Sequence, residues 1–114
     1  MSERVCAVVV TYNRKALLDE CLCALRAQSR TLDGILIVDN ASTDGTAAML
    51  EERGHRADPR VHYLRLEQNL GGAGGFHRAF ADAYAAGFDW IWAMDDDTIV
   101  DQDALEQLFA ARAS

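Results

Sequence analysis

No apolar stretch in this sequence approaches the roughly 20 residues that a membrane-spanning helix needs. The opening residues do not read as a secretory leader either, because Glu3 and Arg4 run straight into an apolar strand. Cysteine is scarce and unpaired in pattern. Cys6, Cys21 and Cys23 give an odd count without C-x-x-C spacing, which supports neither a disulfide framework nor a zinc site. Cys6 falls in a strand and Cys21 on an apolar helix stripe, so they read as buried, reduced thiols of a cytosolic protein. Positive charge is short as well: 11 Lys and Arg stand against 18 Asp and Glu, for a formal net charge of −7. That balance argues against a nucleic-acid surface, which wants a basic patch. It does not argue against a nucleotide-sized ligand, whose surroundings a metal ion can neutralise. Repeats, low-complexity stretches and internal linkers are absent.

What remains is an ordinary globular composition, half apolar and a quarter charged, in 114 residues. That is one domain or a piece of one, with a small core. Val5 to Val10 is a valine-rich run of the kind buried on both faces of a sheet. After a polar break, in which Asn13 can cap the next helix, Leu17, Leu18, Cys21, Leu22 and Leu25 recur at helical spacing. A second strand covers Ile35 to Val38. The turn Asn40 to Gly45 follows, rich in capping side chains (Ser42, Thr43, Asp44), and then a short helix from Thr46 to Arg53 closed by Gly54. His55 to Pro59 reads as a surface loop. Val61 to Leu66 alternates apolar and polar, which suits a strand near a sheet edge. Asn69 to Gly75 is a glycine-rich loop, followed by a helix over Phe76 to Ala86 that ends at Gly87. Trp90 to Met94 reads as a buried fourth strand, with both tryptophans as core. Asp101 then caps a last helix, with Asp103 and Glu106 spaced as a capping pair. Strands alternating with helices predict an α/β fold, a Rossmann-like three-layer α/β/α arrangement around a mainly parallel sheet with right-handed crossovers.

Each polar segment follows a strand, so in a parallel sheet all four collect on one rim, where ligands of open α/β sheets bind. The most informative segment is Asp95-Asp96-Asp97, at the carboxyl end of the fourth strand. Three adjacent anions repel one another unless a cation or a shared proton relieves them. Alternation along an extended chain sends Asp95 and Asp97 one way and Asp96 the other. A hard divalent ion held by one or two carboxylates, with water and phosphate oxygens completing its shell, suits that geometry. A solvated acidic turn is the plain alternative. The glycine loop can bring bare N–H groups near a ligand, at a helix amino end that favours anions. It is not a dinucleotide fingerprint, since His77 stands where the third glycine is needed, nor a P-loop, since no Gly-Lys-Ser/Thr follows. An EF-hand read from Asp95 fails at Ile99 and Val100.

Four motifs, Val-Val-Val-Thr-Tyr-Asn-Arg, Val-Asp-Asn-Ala-Ser-Thr-Asp-Gly-Thr, Asn-Leu-Gly-Gly-Ala-Gly-Gly-Phe and Met-Asp-Asp-Asp-Thr, occur in this order. Together they resemble the inverting family-2 glycosyltransferases of GT-A fold, and most of all bacterial galactofuranosyl- and rhamnosyltransferases of cell-wall and polysaccharide assembly. The resemblance covers nearly the whole chain. It implies metal-dependent, inverting transfer of a sugar from a UDP- or dTDP-sugar to a glycan or lipid-linked acceptor. It implies that Thr11, Asn13 and Arg14 line the nucleoside pocket, and that Asp39, with Asn40 beside it, receives the N–H of a uracil or thymine ring. Asn69, Gly71 and Gly72 would floor the nucleotide and sugar, and Arg78 would reach for the diphosphate, with a surface salt bridge as its alternative. Asp95 or Asp96 would touch ribose or sugar, and Asp95 and Asp97 would hold Mg²⁺ or Mn²⁺. The family's catalytic base lies beyond the Asp motif. The expectation is therefore that residues 1–114 are the donor-binding portion of a longer domain, cut after the Asp-x-Asp motif and weakly active or inactive alone. Homo-oligomerisation stays open, as does membrane contact at the cytoplasmic face through a lipid-linked acceptor. Two other classes compete: a nucleotidyltransferase, disfavoured because the first loop has no glycine, and a non-catalytic nucleotide-binding module.

Overall fold

The computed structural model describes residues 3–113. Four strands form one sheet: β1 (Val5–Thr11), β2 (Gly34–Asp39), β3 (Val61–Arg65) and β4 (Trp90–Asp95). They pair in the order β3-β2-β1-β4, every pairing parallel. The helices are α1 (Lys15–Arg26), α2 (Thr46–Glu52), α3 (Gly71–Ala85) and α4 (Ala104–Ala113), with a 3₁₀ turn over His55–Ala57. This is the expected α/β order.

Alternation along the strands sorts their side chains into two cores. Val5, Ala7, Val9, Ile35 and Ile37 pack with Leu18, Leu22 and Leu25 of α1, Leu50 of α2 and Leu105 of α4. Cys6, Val8, Val10, Leu36 and Val38 pack on the other face against Ala79 and Ala83 of α3. The three layers are thus α1, α2 and α4, then the sheet, then α3. Because β1 and β2 are covered on both sides, all of their residues are buried, which is why they read as unbroken apolar runs. β3 is an edge, as its alternating pattern predicts.

β4 corrects the sequence reading. It is the opposite edge rather than an interior strand, so Trp90 is 41% exposed and Ala93 is exposed. Trp92 is partly buried against the first core, while Trp90 meets the Phe109 ring edge-on at 6.1 Å.

The start of α3 is a second correction. The helix begins at Gly71, five residues before the position predicted from propensity, and winds all of the clustered glycines into its first turns. Packing explains this. A Cβ on Gly75 would lie 2.6 Å from Val10 Cγ1, and one on Gly74 would lie 2.6 Å from Leu70 Cβ. Gly75 lets the helix rest directly on the sheet and Gly74 makes room for Leu70, contacts that offset the poor helix propensity of glycine.

The capping expectations also change. Asn13 adopts a left-handed backbone (φ 52°) and does not cap α1. Asp44 does so from the next loop, accepting the Lys15 N–H at 3.1 Å. Asp101 precedes α4 and takes the Ala104 N–H on its main-chain carbonyl, while Asp103 accepts from the Gln107 side chain at 2.7 Å rather than forming a box with Glu106. His55 is fully buried, not on a surface loop. Arg26 Nη1 lies 3.0 Å from its Nδ1, and a guanidinium can only donate, so the ring proton sits on Nε2, 2.7 Å from Asp19. Cys6 and Cys21 are buried and Cys23 is exposed; burial pushes the first two thiols up to about 11 and about 12, so they stay protonated and inert.

Candidate functional site

Parallel register aligns the strand ends. Thr11 is level with Asp39, and Val10 with Asp95. The main chain ties the rim together, with Asn40 N–H donating to the Thr11 carbonyl (2.9 Å) and Leu66 N–H to the Asp39 carbonyl (2.8 Å). A cleft of about 430 Å³ opens above it. Thr11, Arg14, Asn40, Asn69, Gly71, Gly72, Asp95, Asp96 and Asp97 line this cleft. Asn13, Asp39 and Arg78, also singled out in the sequence, do not.

β4 ends at Asp95, so Asp96 and Asp97 lie in the turn that follows rather than alternating along an extended strand, and it is the turn that divides the acids. The Asp96 side chain is 6% exposed and the Asp97 side chain 55%. Asp96 accepts the Thr11 hydroxyl at 2.9 Å, and Arg14 Nη1 stands 3.5 Å from it and 3.9 Å from Asp97. Asp95 is exposed on the α3 side, and its carbonyl accepts the Thr98 N–H to turn the chain away. Asp96 is therefore a positioned, hydrogen-bonded group, while Asp95 and Asp97 keep free oxygens facing the cleft. Three carboxylates line the cleft against the single guanidinium of Arg14. An anionic ligand would meet that excess with repulsion unless a cation intervened. Exposed carboxylate oxygens are the right donors for a hard divalent ion that keeps water and phosphate in its shell, so the residues present fit Mg²⁺ or Mn²⁺.

Among the described residues the ligand atoms of three potential metal-binding side chains converge at Asp19, Cys23 and His55, and not at the three rim acids. The His55 ring is already engaged on both nitrogens, and Arg53 pairs with the same Asp19 carboxylate at 3.2 Å. Two guanidiniums and a protonated Nε2 make this an ion-pair network and a poor cation site.

Asn40 has a role that its sequence position did not disclose. Its Oδ1 accepts the Leu70 N–H and its Nδ2 donates to the Gly71 carbonyl, both at 3.1 Å. It pins the amino end of α3 to the end of β2. Asn69 accepts the Gly71 N–H at 2.7 Å. Asn13 serves as a clip between loops: its N–H donates to Ser42 Oγ (2.9 Å) and its Oδ1 accepts the Thr43 N–H (2.7 Å). Asp39 is 1% exposed, and accepts the Ser42 N–H at 2.9 Å and the Tyr63 hydroxyl at 2.5 Å. Arg78 takes its salt-bridge alternative, pairing with Asp82 at 3.2 Å on the exposed side of α3. Sequence reasoning passed over Tyr12 and Phe76, which also line the cleft. The signal was there for Tyr12, a large aromatic placed among polar residues at a strand end, where solvent exposure (45%) is to be expected.

Comparison with known proteins agrees with this geometry. Residues 6–112 match glycosyl transferase family 2. The galactofuranosyltransferase GlfT1 of Mycolicibacterium smegmatis is 44% identical over 96 residues, which are 84% of this chain and 30% of that protein. The chain thus spans about 30% of the length of that relative. Among solved structures, S. aureus TarS 1-349 in complex with UDP superposes with a TM-score of 0.80 at 24% identity, over 94% of this chain and 31% of that fragment. The mannosyltransferase PcManGT from Pyrobaculum calidifontis, in complex with GDP-Man and Mn²⁺, gives 0.73 at 26% identity, over 85% of this chain and 28% of PcManGT. Both neighbours are GT-A glycosyltransferases. The order of the strands, the acids at the end of β4 and the match across nearly the whole length lead to one conclusion: this chain belongs to glycosyl transferase family 2, a family of sugar-transferring enzymes, and carries the parallel sheet of the GT-A fold.

Proposed function

We propose that this chain forms the donor site of a metal-dependent, inverting glycosyltransferase. It takes a UDP- or dTDP-sugar and serves transfer to a glycan or lipid-linked acceptor in cell-wall or polysaccharide assembly. The observation that carries the reading is the division of labour among the rim acids: Asp96 is buried and held by Thr11 and Arg14, while Asp95 and Asp97 are open to the cleft. The similarity to GlfT1 supports a cell-envelope sugar, and the Mn²⁺ and GDP-Man held by PcManGT support a divalent ion and a nucleotide sugar.

Asp95 and Asp97 would hold Mg²⁺ or Mn²⁺, and the ion would supply positive charge to offset that of a departing diphosphate. The chain's own groups bind and orient. Tyr12 offers an exposed ring for a base to stack on, and Asp39 accepts the imide N–H of uracil or thymine. Gly72, at the start of α3, lets the ligand approach the main chain where helix N–H groups favour anions. Arg14 steadies Asp96 and Asp97. None of these acids is assigned as the base that deprotonates the acceptor. No helix of the described residues is long and apolar enough to cross a membrane.

Calorimetric titration of UDP and dTDP, with and without Mn²⁺, tests the reading. Mn²⁺ is expected to strengthen binding of the favoured nucleotide, and Asp97→Asn to remove roughly tenfold or more of that affinity, about 1.4 kcal/mol. Because Asp97 is exposed, the thermal midpoint should barely move. Undiminished metal-dependent binding by the variant would defeat the assignment of Asp97.

A further inference from the structure

The reading above makes Asp39 the group that recognises the base, yet Asp39 is 1% exposed and its carboxylate is already gripped from two sides. Ser42 N–H reaches Oδ1 at 2.9 Å, and the Tyr63 hydroxyl reaches Oδ2 at 2.5 Å. Tyr63 is one strand further out, on β3, which pairs with β2 with Tyr63 level with Ile37. Its side chain projects from the same sheet face as Ile37 and Asp39, and it packs against the first core. The Arg56 guanidinium lies 5.4 Å from the centre of its ring. The ring is thereby held by the core and by Arg56, with its hydroxyl on the carboxylate. Burial, and then the neighbouring Asp39, push the phenol well above its ordinary range, so it stays a donor throughout.

A carboxylate oxygen accepts up to two hydrogen bonds. One donor on each oxygen fixes the carboxylate plane and leaves one further acceptor direction per oxygen. We infer that Tyr63 is a positioning residue for base selection, acting through Asp39: its hydroxyl fixes the direction in which Asp39 presents an acceptor to the ring of a nucleoside diphosphate. A fixed acceptor matches the N3–H of uracil or thymine and opposes the bare N3 of cytosine. This inference rests on the proposed donor site and adds a residue that does not line the cleft.

The test is titration of UDP and of CDP, with Mn²⁺, into the 114-residue chain and into Tyr63→Phe, which removes one oxygen and keeps the ring packing. The unaltered chain should prefer UDP. Tyr63→Phe should weaken UDP by roughly tenfold and shrink the preference over CDP by a similar factor. In an Asp39→Asn background the same substitution should change neither, because the group through which it acts is gone. A purely structural tyrosine would lower the thermal midpoint and weaken both nucleotides alike; an unchanged UDP-to-CDP ratio therefore overturns the inference while leaving the donor site standing. Failure of the unaltered chain to bind UDP, or to prefer it, would instead bring down the proposed donor site, and the inference with it.

Discussion

Residues chosen for chemistry in the sequence divide, in the structure, into those that face the cleft and those that hold its walls. Asn13 is the clearest of the second kind. Its place in Thr-Tyr-Asn-Arg suggests a ligand contact, but its left-handed backbone and its bonds to Ser42 and Thr43 clip the β1 loop to the β2 loop. Asn13→Ala should cost about 2 kcal/mol, combining the left-handed strain of a Cβ residue with one lost hydrogen bond. Asn13→Gly, which relieves the strain but keeps the lost bond, should cost about half as much. Urea denaturation of both would show it, and equal stability of all three proteins would refute the clip. Asp96 belongs partly to each group, lining the cleft while bonded to Thr11. That the triplet sits at a strand end was legible from three consecutive letters and the apolar run before them. The partners that decide what each acid does were not, because Thr11 lies 85 residues away.

Among the elements, β1, β2 and α1 follow from the sequence because their periodicities are set by burial alone. α3 does not. Read by propensity, Gly71 to Gly75 is a loop; on the sheet it is the first turn of a helix, because only glycine lets its backbone come so near Val10. Gly75 and Gly72 should respond differently. Gly75→Ala places a methyl against Val10 and should destabilise by about 1–3 kcal/mol. Gly72→Ala meets no atom within 4 Å and should be neutral or stabilising by up to about 1 kcal/mol, as expected for alanine replacing glycine in a helix. Thermal melts of the pair would decide, and similar losses at both positions would show that the close contact is not the reason for the glycines. β4 was misread for the opposite reason. Its tryptophans look like core, but hydrophobicity does not reveal which strand lies at an edge; that depends on the order in which strands assemble.

Across the whole molecule, an excess of acid is kept in place by dispersed donors. Burial by itself would raise Asp19, Asp33 and Asp44, but the donors facing them outweigh it and hold all three below the usual carboxylate range. Hydrogen bonds from Arg60 lead in lowering Asp58, with Arg26 adding to them. A carboxylate depressed in the folded state stabilises it above the unfolded pKa, near pH 4, and that contribution is lost as pH falls through the lower folded value. The urea midpoint should therefore hold steady around pH 6, then fall below about pH 4; Asp58→Asn should begin lower and fall less steeply. A midpoint that rose on acidification would contradict the sign. The sum of charge was readable from composition, but its distribution was not, since ion pairs join α1 to the α2–β3 connection and Asp33, paired with Arg30 in the loop before β2, takes the Val5 N–H of β1. The pinned glycine segment carries one more consequence, and it concerns entropy. Glycine loses the most backbone freedom on ordering, roughly 1–2 kcal/mol per residue at ordinary temperature for fixing a backbone. Wound into α3 and held by Asn40, Gly71 to Gly75 give up that freedom when the chain folds, so a ligand entering the cleft meets a wall already ordered and keeps more of its own contact energy as affinity.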